Sequence, residues 1–178
     1  MQARASLMIE HRLIERMIYV INRKLKLVEQ TKEVDPFFLD LAVDFIRTYA
    51  DRTHHGKEED ILFKKLESKN LSNADRQVMN ELIEEHALGR KTTKALADAN
   101  LQYRNGNDSA LALITAQLRT LVGFYPKHIE KEDKVFFPAS RTYMTDEEDQ
   151  TMLAEFMEFD RKMIHEKYNA IIQSLEHE

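Results

Sequence analysis

The stretch HHGKEEDILF from His54 to Phe63 recurs later in the chain as HIEKEDKVFF from His128 to Phe137, and this repeat limits what the chain can fold into. Each copy carries a histidine followed four residues later by a glutamate, His54 with Glu58 and His128 with Glu132. Residues four apart in a helix stack on one face, about 6 Å apart along the axis, so each copy points an imidazole and a carboxylate the same way. A single His-x-x-x-Glu arises by chance on any charged helix and then lies on a solvated face. Two copies in matching apolar frames point to a shared site in a core, because buried charges must be paired or bind a cation.

The frames are helical. Four Gly and three Pro leave few breaks, and Leu, Ile, Met, Glu, Lys and Ala abound, so the predicted fold class is all-α. From about residue 3 to 30, Leu7, His11, Ile14, Ile18, Ile21 and Leu25 form one seam. Asp35-Pro36 opens a second helix to about Glu67, with Leu39, Val43, Ile46, Ala50, His54, Glu58 and Ile61 inward. Ser72 to Asp75 starts a third, whose seam is Met79, Leu82, His86, Gly89, Thr93 and Leu96, until Asn105-Gly106 breaks it. Asp108-Ser109 is the expected cap of a fourth, with Ile114, Leu118, Leu121, Tyr125, His128, Glu132 and Val135 inward. Pro126 is expected to kink this helix and Pro138 to end it. Residues from about 146 to 176 form a fifth segment with Leu153, Phe156, Met157, Ile164, Ile171 and Leu175 at helical spacing.

Heights then locate a site. In an up-down-up-down course with short loops, His11 lies about 19 residues from the end of its helix and His54 about 18 from the start of the next, at roughly 1.5 Å per residue. His54 and His86 match in the same way across the second loop, and His86 and His128 across the third. Four histidines and two glutamates therefore converge on one layer, and the apolar residues around them offer no network of partners. The expected architecture is an antiparallel up-down four-helix bundle with an additional C-terminal helix. The chain is expected to form one domain over 1–178, with the core bundle at about 4–140 and the extra helix at about 146–176.

Composition excludes several classes. Without Cys there is no disulfide, no thiolate-bound zinc, no ordinary iron-sulfur ligation and no cysteine nucleophile, so any metal takes nitrogen and oxygen ligands. A net charge of −5 with both signs interspersed gives no footprint for nucleic acid. No window reaches the length of an apolar span and the N-terminal residues lack a secretory core, so no membrane partner is expected and the cytoplasm is the expected location.

With these residues the chain resembles the hemerythrin-like family, the HHE cation-binding domain. The resemblance rests on Glu10-His11-Arg12, the block from His54 to Phe63, Glu85-His86 and the block from His128 to Pro138, and it spans about residues 4 to 140. It implies two iron ions bridged by carboxylates and an oxygen species, with His11 and His54 on one iron, His86 and His128 on the other, and Glu58 and Glu132 bridging. It also implies binding or sensing of oxygen or nitric oxide, or iron handling. The ligand types themselves suit a pair of iron or manganese ions in a bundle core. Oxygen-carrying members have a further histidine one turn after the third-helix histidine. Arg90 stands at that position here, which removes a ligand that a simple oxygen carrier uses.

Three more residues are candidates for an additional ligand or a supporting role: Glu15, Arg90 and Tyr125. Glu15 lies one turn after His11 and either serves the site or belongs to the solvated face of Glu10, Arg12 and Arg16. Tyr125 either donates a hydrogen bond to a bound ligand or is an ordinary core tyrosine. His55 points about 100° away from His54 and reads as a surface neighbour, and His165 and His177 read as solvated. Gly56, Gly89 and Gly123 lie near proposed ligands and make room for close packing or for a bound gas.

The leading expectation is a di-iron protein that binds oxygen or a related small molecule, such as nitric oxide or peroxide, as a sensor, buffer or store. A second is an enzyme acting on nitric oxide or peroxide, or an iron donor for cluster repair. Turnover would need an electron-donor protein, since the chain carries no flavin, haem or thiol motif. A third is an interaction module whose fifth helix docks to another subunit.

Overall fold

The computed structural model describes residues 2–176, with side chains described as far as Met163 and at Lys167. Among the described residues every regular element is helical. Helix α1 is Ala3–Thr31. Helix α2 covers residues 36–67 and changes pitch along its length. It is α-helical at Pro36–Phe45, π-helical at Ile46–His55 and Glu58–Phe63, and α-helical again at Lys64–Glu67. Helix α3 is Asn73–Arg104. Helix α4 covers residues 110–141, with a π-helical stretch at Glu132–Phe136 between α-helical Ala110–Lys131 and Phe137–Arg141. Helix α5 is Asp146–Glu176. None of these helices is long and apolar enough to cross a membrane.

Local chemistry sets most of the boundaries. The Asp35 carboxylate accepts from the Phe37 amide at 3.0 Å, with Pro36 in the first turn, and Ser72 Oγ accepts from the Asp75 amide at 3.0 Å. Each bond satisfies an amide that the helix itself leaves unpaired. The start of α4 differs from expectation. Ser109 has helical backbone angles, φ −65° and ψ −21°, rather than the extended ones that aim a capping side chain at the following amides, and it makes no cap bond. The Asn107 side chain instead accepts from the Ser109 amide at 3.2 Å. Pro138 does not end α4. It sits in the first turn of the α-helical stretch that follows the π segment, and the helix continues to Arg141.

The first four helices pack in a closed ring: α1 against α4, α4 against α3, α3 against α2, and the first π segment of α2 against α1. Two apolar clusters fill it. One contains Ile14, Ile18, Leu39, Leu96, Leu118, Leu121 and Tyr125, the other Leu7, Leu62, Phe63, Leu82, Phe136 and Phe137. Between them lies the layer that carries the histidine and glutamate repeat.

The π segments shift the inward face at that layer. The i to i+5 bonding of a π-helix adds roughly one residue per turn, so the buried row slips by one position. In α4 the row passes from Glu132 to Phe136, which is buried, while Val135 is 50% exposed, contrary to the α-helical expectation. In α2 it passes from Glu58 to Leu62 and Phe63, with Ile61 only partly buried.

Helix α5 lies on its own chain, against α1 and both π segments of α2. Its Asp149 is buried, accepts from the Ala3 amide at 3.1 Å and pairs with the buried Arg4. Met152, Leu153, Phe156 and Met163 face the core and Met157 faces solvent, which corrects the expected seam at Met157. The side chains of Ile164, Ile171 and Leu175 lie outside the described residues. Gly56 permits this packing, because a Cβ there would come within 2.8 Å of the Phe159 ring. No such crowding exists at Gly123.

Truncating Phe156 to alanine should lower unfolding stability by about 3 kcal/mol in a urea titration. Met157→Ala should change it by less than about 0.5 kcal/mol. Equal effects would contradict the orientation of α5.

Candidate metal centre

His11 on α1, His54 and Glu58 on α2, His86 on α3, and His128 and Glu132 on α4 are all buried, at 2% exposure or less. The Nε2 atoms of the four histidines and both carboxylate oxygens of Glu58 and Glu132 have no hydrogen-bond partner. So many unpartnered polar atoms in one layer would be costly unless a cation sat among them. Their spacing fits one. Glu132 Oε2 lies 3.1 Å from His11 Nε2, while its Oε1 lies 3.4 Å from His128 Nε2 and 3.6 Å from His86 Nε2. Glu58 divides likewise, with Oε1 at 3.6 Å from His54 Nε2 and Oε2 at 3.4 Å from His86 Nε2. Neighbouring ligands about 2.1 Å from a shared ion stand roughly 3 Å apart, so a small closure around cations satisfies every atom. His11, His54, Glu58 and Glu132 form one group whose ligand atoms lie within 4.8 Å of one another.

The Nδ1 side of each imidazole is held from behind by an acid on a neighbouring helix. Glu10 meets His54 at 2.9 Å, Glu59 meets His86 at 2.7 Å, Glu85 meets His128 at 2.8 Å and Asp133 meets His11 at 2.7 Å. The four pairs close a circle, each helix gripping the histidine of the next and α4 returning to α1. Every acid also has a cation: Lys57 on Glu10, Arg90 on Glu59, Lys131 on Glu85 and Arg12 on Asp133. Carboxylates placed this way fix ring orientation, put the proton on Nδ1 and leave Nε2 as the donor atom.

Protonation follows from the same contacts. Burial opposes a charge on His11, but the adjacent Asp133 and Glu132 carboxylates outweigh it and raise its pKa to about 9. Burial, then the charge of His11, holds His54 well below the usual imidazole range. Burial and the neighbouring Glu132 push Glu58 well above the usual carboxylate range. Burial would also raise Glu132, but His128 and the other imidazoles prevail and hold it well below that range. Two carboxylates this close cannot both ionise without added positive charge, which is what a bound cation supplies.

The sequence profile of the hemerythrin HHE cation binding domain matches residues 3–140. The chain belongs to the hemerythrin HHE cation-binding family. No curated protein and no solved structure matches it. Membership in this cation-binding family indicates binding of metal, typically iron, and the buried His and Glu groups of this HHE chain are of the kind that can hold it.

The other candidates fall at different depths in the HHE layer. Arg90 is no ligand. It spans Asp51 at 3.0 Å and Glu59 at 2.9 Å, and so acts on His86 through Glu59. Glu15 is 40% exposed at its side chain and pairs with Arg12 at 3.0 Å, on the solvated face and outside the buried His and Glu layer. Tyr125 is buried with no partner for its hydroxyl, and burial pushes that hydroxyl's pKa well above the usual phenol range, so it remains a donor. The His165 side chain and His177 lie outside the described residues.

His55 overturns its reading as a surface neighbour. It is 2% exposed and its ring stacks on His86, with centroids 3.9 Å apart. His54 and His55 end a π segment, where consecutive residues turn by roughly 80° rather than 100°, so both face inward. The four acids were also missed as supports, although each stands directly beside a candidate ligand: Glu10 by His11, Glu59 by Glu58, Glu85 by His86 and Asp133 by Glu132.

Replacing Glu85 by alanine should weaken metal binding by about 10–100-fold, measured by competition with a chelator. Glu81→Ala, which removes a second contact to Lys131 and an exposed bond from Gln77 but nothing to a histidine, should stay within about twofold. Equal losses would argue against the support from behind.

Proposed function

We propose that this protein holds two iron ions between Glu58 and Glu132 and binds oxygen or a related small molecule there, as a sensor, buffer or store. The observation that carries the reading is the division of each buried carboxylate, one oxygen toward one set of imidazoles and the other toward the next. That is the arrangement a bridging carboxylate needs. The supporting architecture is an antiparallel up-and-down four-helix bundle with α5 packed outside it as part of one domain. Connections of a few residues, 32–35, 68–72 and 105–109, favour that course between neighbours.

In this reading His11 and His54 hold one iron and His86 and His128 the other. Iron, when bound, would supply the redox chemistry and the Lewis acidity. The protein's own groups hold the imidazoles in one tautomer, exclude water with the apolar clusters on both sides, and offer the Tyr125 hydroxyl as a donor. The stacking of Phe137 on His11 and Phe63 on His86, with centroids 5.6 and 5.9 Å apart, shields those rings.

The test is metal content, stability and visible spectrum of protein purified without air and then exposed to oxygen. About two irons per chain are expected. At a free iron concentration about 100 times the dissociation constant, the apparent stability should rise by about 2.7 kcal/mol. Glu132→Ala should lose both effects. A reversible colour change on oxygenation supports binding and storage, while rapid irreversible oxidation would favour redox turnover or iron handling. Failure of the parent chain to take up metal would overturn the proposal.

A further inference from the structure

We propose that His55 is a fifth imidazole of this centre, joining His86 and His128 on one cation, so that the two cations are held unequally. This rests on the two-cation reading above. The ligand atoms of His55, His86 and His128 lie within 4.8 Å of one another in a buried group of their own. The His55 ring lies parallel to that of His86, at 11°, and edge-on to that of His128, with centroids 5.6 Å apart.

The partners of His55 separate it from a merely packed histidine. Each of the other four imidazoles has an acid within 2.9 Å of Nδ1, whereas Nδ1 of His55 is buried with no hydrogen-bond partner and its nearest acid, Asp51, is 3.5 Å away. A ring that leaves a buried Nδ1 without a hydrogen bond is a poor filler for an apolar layer.

The internal repeat then shows what the ring adds. The two halves of the site correspond residue by residue: His54 with His128, Lys57 with Lys131, Glu58 with Glu132, Glu59 with Asp133, and Phe63 with Phe137. The corresponding residues do the same work. Glu59 and Asp133 each hold the histidine of the following helix, and Phe63 and Phe137 each stack on that same ring. At the position after the histidine the halves part: one has His55, the other Ile129, buried at 2%. Isoleucine therefore meets the packing need at this position. His55 provides what isoleucine cannot, a third nitrogen on one side, so one cation has three imidazoles and two shared carboxylates while the other has two and two.

His55 also forms part of the wall of a cavity of about 370 Å³ bounded by Ile46, Asp51, Gly89, Arg90 and Tyr125. A small molecule the size of imidazole has room there.

The test uses the full chain loaded anaerobically with iron(II) enriched in the Mössbauer isotope. The parent should show two inequivalent iron signals of equal area. His55→Ile copies the residue that packs at the corresponding position, and should merge the two signals into one or lose one iron of the pair. His55→Gly should behave the same way, and added imidazole should restore two unequal signals. If both variants keep two irons with the parent spectrum, or imidazole changes nothing in His55→Gly, the inference is overturned while the two-iron reading stands. If the parent binds no iron, both fall together.

Discussion

Two carboxylates buried in one apolar layer repel each other and resist ionisation, and every other feature of the layer counters that cost. Glu58 and Glu132 are fully buried and make no hydrogen bond. Without a cation, the layer has to share protons between them and the imidazoles, with Glu58 pushed toward its neutral form and Glu132 held ionised by the rings around it. A bound cation would give those same atoms the partners they lack. The chain keeps an arrangement that apolar residues of equal volume would make cheaper, which is the signature of a site kept for binding rather than for stability.

The supporting circle converts this local demand into a property of the whole fold. Each histidine is oriented by an acid from another helix, so no single helix can move without releasing a ligand on the next. The charged outer ends reach further still. Lys57 is fully buried, pairs with Glu10 behind His54, and meets Asp160 of α5 at 2.7 Å. The C-terminal helix lies beyond the residues that match the family profile, yet it touches the centre through one lysine. Gly56, one residue before Lys57, provides the space in which that helix sits.

Much of this was legible in the sequence. The seams of α1 and α3 read correctly from period alone, because both helices keep 3.6 residues per turn throughout. The His and Glu positions that meet in the layer were found from equal heights and from the repeat. The misplaced inward and outward positions near the site fall at the three π segments. Val135 was placed inward, and His55 outward, by applying the α-helical angle across stretches with wider turns. The Met157 error in α5 has another origin: its face is chosen by what it packs on, Arg4, Gly56 and Lys57, rather than by its own period.

The sequence by itself determined the all-helical class, the absence of thiolate chemistry, and the pairing of an imidazole with a carboxylate in each half, because composition and four-residue spacing are local facts. Only the tertiary structure decided which oxygen of each glutamate faces which histidine, which acid stands behind each ring, and that His55 belongs to the layer while its counterpart is Ile129. Those outcomes depend on the pitch of the helices where they meet and on contacts between residues far apart in the chain. No spacing within one helix encodes either of them.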